Sequence, residues 1–296
     1  MKLIKPSYQI LEQKPGLEGI YEIIELAGRT CYKSTRKEGT TAKDFVDRMI
    51  NSKHYAMLEH GTVYLYGTYD VSAIGSWHHS ICKKYSENKY SIVHTDGKMD
   101  LRGVYVTTNL RVLIENGWLD DLKYLCEPTE YHEKRVTVRF TTDRGVSHEF
   151  VRHRVFSFAQ ESTRYCNYSK NKFNNELTFI IPSWMDIEEG RITTDSFGCP
   201  TIVNEETYDF LSGLGASERS YFRLINRGWT PQQARQVLPN ALKTELIMTG
   251  FVSDWQHLCR LRSSFAETGQ PHPDMKALVD PLLKEFISRG YLEPLV

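Results

Sequence analysis

The chain has 296 residues, of which 40% are hydrophobic and 25% are charged, as in ordinary globular proteins. Lysine plus arginine and aspartate plus glutamate each number 37, so the formal net charge is zero. Because no overall field attracts the chain to nucleic acid or to a membrane surface, an anion site must come from a local cluster of basic side chains.

No stretch approaches the roughly eighteen uninterrupted apolar residues of a transmembrane helix. The first residues, MKLIKPSYQILEQ, lack the apolar run and cleavage site of a signal peptide. We therefore expect a cytoplasmic protein that binds neither membranes nor nucleic acid. The length is within reach of one elaborate domain, and we predict a single domain over residues 1–296.

The six cysteines are scattered along the chain, and none forms a CxxC pair. In a cytoplasmic protein this spacing predicts reduced thiols rather than disulfides or zinc ligands. The six are Cys31, Cys82, Cys126, Cys166, Cys199 and Cys259.

The first half of the chain predicts helices followed by strands. Amphipathic patterns indicate helices over 16–34 and from Ala42 onward, and the run TVYLYG from Thr62 predicts a strand. Residues from about 68 to 134 mix polar segments with a strand at GVYVTT and a helix over 109–125. An apolar strand pattern resumes at RVTVRFTT, so we interpret residues 68–134 as an α/β excursion inserted into the domain.

The second half is predicted to be mostly helical. The pattern turns helical from Asp143 to Arg154, residues 167–178 read as a polar loop, and FIIPSW reads as a short strand. Thr230 and Gln233 form a capping box for a helix that ends at Pro239. Two further helices are predicted over 240–268 and 273–288. The resulting class is α+β, with a central, mostly antiparallel sheet flanked by helices and a helical C-terminal half.

Arg152, His153 and Arg154 are consecutive, which is unusual for the buried face of an amphipathic helix. At a helix end, their side chains could converge on one anion and grip a phosphate in bidentate fashion. Hydroxyl, amide and guanidinium donors follow, at Ser162, Arg164 and neighbouring positions. Taken alone, three such basic residues are more often a solvated face or a stretch that contacts a nucleic-acid backbone.

The longer pattern is more specific. Arg-His-Arg, then seven residues, then Ser, with Arg-Tyr two positions later, resembles the signature of the flavin-dependent thymidylate synthases. Other segments are similar to that family as well: GRTCYKS from Gly28, Leu58-Glu59-His60 with His54 upstream, Ala234 to Pro239, and HLCRLR with His257 and Arg262.

Several positions depart from the family pattern. Glu149 stands where the family usually has Gln, and Gln160 stands where many members have Glu. Phe251 and Ser253 occupy positions of possible polar flavin contacts. Relative to the family pattern, residues 266–275 carry a short insertion, so the resemblance assigns no role to His272.

The resemblance implies that the protein makes thymidylate from deoxyuridylate (dUMP). Methylenetetrahydrofolate would be the one-carbon donor, and NAD(P)H would supply reducing equivalents through FAD. The family forms homotetramers with active sites between subunits, and no metal is implied. The chain has no GxGxxG after a strand, so FAD would not lie on a Rossmann turn.

The implied site residues fall into three groups, with Arg262 as the catalytic residue that stabilises the ionised pyrimidine. The implied FAD contacts are His54, Ala56, Glu59, Arg152, His153, Arg154 and His257. The implied dUMP contacts are Glu149, Arg152, Gln160, Glu161, Ser162, Thr163, Arg164, Arg235 and Arg262.

Three other readings remain. A nucleic-acid-binding module would use the basic cluster and nearby aromatics, but the chain is neutral and has no recognised binding motif. A metal-dependent hydrolase would need a ligand spacing such as HExxH, which is absent. A flavoprotein of the same fold without synthase activity is compatible with the departures at Gln160 and Phe251.

Overall fold

The computed structural model describes residues 1–70, 77–96, 101–192, 204–266 and 269–295. Its strands are β1 (Lys2–Ile4), β2 (Ser7–Leu11), β3 (Thr62–Asp70), β4 (Ile92–Thr95), β5 (Leu101–Asn109), β6 (Arg135–Asp143), β7 (Ser157–Gln160), β8 (Thr178–Ile180), β9 (Gly190–Arg191) and β10 (Lys243–Phe251).

The α-helices of the same residues are α1 (Gly16–Tyr32), α2 (Ala42–Asn51), α3 (Trp77–Ser86), α4 (Leu110–Glu115), α5 (Arg144–Phe150), α6 (Glu205–Asn226), α7 (Pro231–Ala234), α8 (Val252–Arg262) and α9 (Pro273–Ser288). Short 3-10 helices cover Tyr55–His60, Leu119–Tyr124, Asn171–Phe173 and Arg235–Val237.

The central sheet has the strand order β2-β6-β10-β7, and all of its pairings are antiparallel. A smaller sheet, β8-β1-β9, contains one parallel pair, β1 with β8. Helices pack around these sheets, and the predicted α+β class with a mostly antiparallel central sheet is confirmed.

Successive side chains of β6 point alternately to the two faces of the central sheet. Val138 and Phe140 point into a core that includes Phe150 of α5, Trp255 of α8 and much of α9. Thr137 points to the other face, where its hydroxyl lies 2.8 Å from Thr249 Oγ1. Helix α1 and the 3-10 helix Tyr55–His60 cover that second face.

The predicted excursion at about 68–134 forms a sheet of its own, with strand order β3-β5-β4. The sheet begins slightly earlier than predicted, because β3 starts at Thr62. Its apolar side chains share a core with Ile20 and Ile24 of α1 and with Val46 of α2. The organisation of the chain as one domain stays a prediction.

The helix predicted over 240–268 is wrong in its first part. Residues 243–251 form β10, which pairs with β6 on one side and β7 on the other; the helix α8 begins only at Val252. The run LIMTGF is short and apolar, so its pattern does not separate a buried strand from a helix. The segment is a strand rather than a helix because it pairs with a neighbouring strand on each side.

Two other predicted helices are shorter than expected. The helix over 109–125 is interrupted at Gly117, whose φ of 70° suits glycine, and only α4 and a 3-10 turn form. The capping box of Thr230 and Gln233 is confirmed, but α7 is a single turn that a 3-10 turn continues to Val237. The elements that were not predicted include helix α3 and the strands β1, β2, β4, β7 and β9.

The remaining predicted elements are confirmed: the helices from Gly16 and Ala42, the strands in 62–67, 103–108 and 135–142, and the helix over 273–288. Five cysteines are free thiols, and the sixth, Cys199, lies outside the described residues. Within the described ranges, no helix combines the length and the apolar character that crossing a bilayer requires.

Gly250 lies against the buried ring of Phe156, and a Cβ there would lie 2.5 Å from Phe156 Cδ1. We expect Gly250→Ala to lower the free energy of unfolding by about 1–3 kcal/mol because the ring must move. The control is Gly213→Ala within α6, where a Cβ meets nothing within 4 Å. It should stabilise the helix by about 0.5–1 kcal/mol. Urea denaturation measures both, and equal stabilities would contradict the packing argument.

Candidate active site

The ends of helices α5 and α8 meet on one face of the central sheet. Helix α5 follows β6 and α8 follows β10; because these strands are antiparallel, the helices start at opposite ends of the pair. Their combined length, about 27 Å at 1.5 Å per residue, is close to the length of a strand of this size, about 30 Å. Their C-terminal ends therefore come together near the middle of the face.

Arg262, the last residue of α8, is held at this meeting point. Its Nη1 lies 2.8 Å from Glu149 Oε2 on α5, in an ion pair whose side chains are largely shielded from solvent. Its Nε donates a hydrogen bond of 3.1 Å to Nε2 of His153. The structure thus brings together three residues that the sequence placed in one site, from segments more than a hundred residues apart.

His153 is neutral in this arrangement. Burial is the largest cause that lowers its pKa, to about 4, and the positive charge of Arg262 adds to it, followed by His257 and Arg152. Since Nε2 accepts a hydrogen bond, the ring proton must reside on Nδ1. Because His257 and Arg152 also contribute to the lowered pKa of His153, both side chains lie within electrostatic range of its ring.

Three basic side chains around this centre are exposed: Arg152, Arg154 and His257. None of them forms an ion pair or a side-chain hydrogen bond with another described residue. Exposed guanidinium groups without carboxylate partners are available to bind an anion in bidentate fashion.

A second group lies beyond the other end of β7. Arg235, just after α7, donates a 3.4 Å hydrogen bond from Nη1 to Thr163 Oγ1. Arg164 Nε donates to Gln232 Oε1 at 3.0 Å, and the Arg164 amide donates to Ser162 Oγ at 3.2 Å. Two exposed arginines therefore lie beside two hydroxyl groups, of which that of Thr163 is buried.

Strand β7 separates the two groups within one chain. The Arg152–Arg154 cluster precedes the strand and Ser162–Arg164 follow it, and a strand of this length spans about 13 Å. One chain therefore presents the two groups apart rather than around a common centre.

Gln160 and Glu161 have side chains that are already engaged. Gln160 Nε2 donates to Ser147 Oγ at 2.8 Å, and also lies 3.3 Å from Thr244 Oγ1. The Glu161 carboxylate is buried and lies 2.8 Å from Lys243 Nζ. Both side chains are available to fix the start of the Ser162–Arg164 loop.

The third group lies on the 3-10 helix Tyr55–His60, on the opposite face of the sheet from α5 and α8. His54 and Ala56 are exposed, and the Glu59 carboxylate forms an ion pair with Arg111. His60 is fully buried, and its Nδ1 lies 2.8 Å from Thr249 Oγ1. That contact anchors the segment on the sheet.

Sequence reasoning missed the side chains that hold the predicted ones in place. They are Arg111 beside Glu59, Ser147 and Thr244 beside Gln160, Gln232 beside Arg164, and Lys33, Lys243 and Glu245 around Glu161. Two of these carried a sequence signal: Gln232 stands in the same short segment as Arg235, and Lys33 lies in GRTCYKS from Gly28.

A family model described as "Thymidylate synthase complementing protein" matches residues 128–288, more than half of the chain. The chain is 31% identical over 143 residues to a flavin-dependent thymidylate synthase of Corynebacterium aurimucosum, covering 48% of this chain and 53% of that protein. It is 29% identical over 154 residues to the Pyrococcus furiosus protein of the same name, covering 52% and 54%. The chain thus spans about half the length of the curated relatives it matches.

Among solved structures, the chain is similar to the UMP/dUMP methylase PolB from Streptomyces cacaoi bound with 5-Br dUMP. The identity is 13% and the TM-score is 0.45, with 99% of this chain and 100% of that chain covered.

The depressed pKa of His153 makes stability depend on pH. An unfolded histidine titrates near 6.5, so between pH 6.5 and about 4 the unfolded chain binds more protons than the folded one. Stability should therefore fall as pH falls through this window. About 3 kcal/mol is the upper limit for His153, and solvent screening of its partly exposed ring lowers the actual contribution.

The variant His153→Gln keeps an acceptor for Arg262 but does not titrate, so its free energy of unfolding should fall less steeply over the same window. Urea denaturation of both proteins from pH 7 to 4 tests this. The test compares the pH dependence of the two proteins. His60 also has a lowered pKa, about 3, but it destabilises both proteins equally as pH falls. Parallel curves would show that His153 titrates normally.

Proposed function

The chain belongs to the thymidylate synthase complementing protein family, and we propose that it is a flavin-dependent thymidylate synthase that converts dUMP to thymidylate. Two curated relatives with that name support the proposal. The observation that carries it is the fixed position of Arg262 between Glu149 and His153.

Arg262 would activate the pyrimidine. Carbon 5 of a uracil is a weak nucleophile until negative charge develops on the ring, and a guanidinium that donates to N3 and its neighbouring carbonyl stabilises that charge. Nε and Nη1 of Arg262 are engaged with His153 and Glu149, and Nη2 has no partner among the described residues. The bound nitrogens orient the group, and the free one is available to the substrate.

The phosphate of dUMP would be held by Arg164 and Arg235, with Ser162 and Thr163 as hydroxyl donors. A phosphate monoester carries close to two negative charges at neutral pH, so two guanidinium groups match its charge. Because the Glu161 carboxylate is paired with Lys243, Glu161 would contribute by positioning this loop. Gln160, held by Ser147, would act in the same way.

FAD fits the residues around Arg262. The unpaired guanidinium groups of Arg152 and Arg154 suit a pyrophosphate, and His153 and His257 lie beside them. The contacts with FAD would be completed from the opposite face of the sheet, at the 3-10 helix Tyr55–His60, by His54, Ala56 and Glu59. Bound FAD supplies the reducing equivalents that we propose come from NAD(P)H, with methylenetetrahydrofolate as the one-carbon donor. A cytoplasmic location, where these metabolites occur, is part of the proposal.

We further propose a homotetramer with active sites between subunits. Within one chain, the group around Arg262 and the group on Tyr55–His60 lie on opposite faces of the sheet, and the group around Arg235 lies beyond β7. A substrate that touches all three groups would need them from different chains. This geometry supports sites shared between subunits.

Arg262→Ala should abolish thymidylate formation while leaving flavin bound. Removal of one preorganised donor of this kind lowers kcat by about 10²–10³-fold. The control is Arg260→Ala, an exposed residue on the same helix end, which should keep wild-type turnover. The visible flavin spectrum of each purified protein and tritium release from labelled dUMP, with folate and reduced nicotinamide present, are the two measurements.

The same measurements separate the alternatives. Wild-type protein without a flavin spectrum would refute the proposed function. A flavin spectrum without tritium release would instead indicate the flavoprotein of the same fold that lacks synthase activity. Normal turnover of Arg262→Ala would refute the role of Arg262 alone.

A mixture of two inactive variants tests the shared site. If Arg262 and Arg235 of one active site come from different subunits, then co-refolded Arg262→Ala and Arg235→Gln chains should regain part of the activity. Sites that combine the two intact arginines account for the recovery. Each variant refolded alone is the control. No recovery, or an active monomer by light scattering, would contradict the arrangement.

A further inference from the structure

A cavity of about 170 Å³ is lined by Arg135, which donates to the carbonyl oxygen of Glu59 at the edge of the proposed site. It is bounded by residues 11–16 before α1, residues 125–128 at the end of the excursion, the start of β6, and Tyr291. A water molecule occupies about 30 Å³ of the liquid, so the space can hold a small polyatomic anion. None of the residues assigned to flavin or nucleotide lines it.

Arg135 lines this cavity with half of its guanidinium unpaired. Its Nη1 donates to the Glu59 carbonyl oxygen at 3.1 Å and to Thr62 Oγ1 at 3.3 Å. Its Nε is buried and has no hydrogen-bond partner, and its Nη2 makes no hydrogen bond to any described residue. Nη2 is therefore the unpaired guanidinium nitrogen that can donate to an anion in the cavity, whereas Nε is shielded from it.

No carboxylate forms an ion pair with the buried guanidinium of Arg135, although two lie near it. Burial lowers the pKa of its guanidinium to about 10, and the nearby carboxylates, Glu59 and Asp254, oppose this lowering without forming an ion pair with it. A buried cation without a paired anion is unfavourable.

Counted together with Arg135, the charged side chains on the cavity wall carry one net positive charge. Glu12 is paired with Arg289, and Lys14 is paired with Glu22. Lys134, Arg135 and Glu127 remain, with Lys134 Nζ positioned 4.2 Å from the ring centre of Tyr291. The cavity is thus suited to an anion rather than to a metal ion.

We propose that this cavity binds a phosphate group through Nη2 of Arg135 and through Lys134. The site would function whether or not the chain is a thymidylate synthase. It would also stabilise a junction, because Arg135 holds the Glu59 carbonyl and lies 5.5 Å from the ring centre of Phe251, directly before α8. Phosphate binding would therefore stiffen the contact between the 3-10 helix Tyr55–His60 and α8.

Thermal unfolding with inorganic phosphate tests the site, at an ionic strength held constant with chloride. The background is Arg235→Gln, which weakens the proposed nucleotide-phosphate site. Phosphate should raise Tm in this background, and Lys134→Gln should weaken the apparent affinity. Arg135→Gln should weaken it about tenfold, the loss of a charged hydrogen bond. The matched control is Lys43→Gln on α2, an exposed lysine paired with Asp47, which should leave the response unchanged.

A second measurement locates the binding and does not require Arg135→Gln to fold. Cys126 lines the cavity, whereas Cys82 on α3 does not. Phosphate should slow the alkylation of Cys126, followed by mass spectrometry, and leave Cys82 unaffected; Lys134→Gln should reduce this protection. Protection by adenosine monophosphate would identify a nucleotide phosphate as the source, and protection by inorganic phosphate alone a free anion. No protection by either would overturn the proposal.

Discussion

Strand β10 pairs with β6 over its whole length, from Lys243 opposite Asp143 to Phe251 opposite Arg135. This ladder fixes the two points at which helices leave the sheet. Helix α5 begins after Asp143, whose side chain caps it by accepting from the Val146 amide, and α8 begins after Phe251. A shift of the register by two residues would move the end of α8 by about 7 Å relative to α5, which is enough to separate Arg262 from Glu149.

Two arginines on opposite faces of this sheet have different electrostatic surroundings. Arg262 has a carboxylate partner in Glu149 and a neutral acceptor in His153. Arg135 has neutral acceptors only, the Glu59 carbonyl and Thr62 Oγ1. A protonated His153 would add a positive charge beside Arg262, and so its lowered pKa and the placement of Arg262 depend on one another.

The sequence predicted the local elements better than their assembly. The amphipathic helices and the β-branched strand runs carry their own periodicity, and α1, α2 and β6 were predicted from it. Strand β10 was not predicted, because it forms by pairing with β6 and β7, which are distant from it in sequence. The contact of Arg262 with Glu149 depends on the same pairing, so no local pattern could reveal it. The engagement of Gln160 and Glu161 by residues from other elements was hidden for the same reason.

The seven residues between Arg154 and Ser162 have a structural explanation in β7. A turn closes with the Phe156 amide bonded to the His153 carbonyl, and β7 then pairs with β10 from Ser157 opposite Thr249 to Gln160 opposite Leu246. The Glu161 amide continues the ladder on the Glu245 carbonyl. One extra residue in this strand would turn its side chains to the opposite face and release Gln160 from Ser147. The spacing therefore reflects the length and register of an edge strand, whereas the chemistry resides in the basic residues at its two ends.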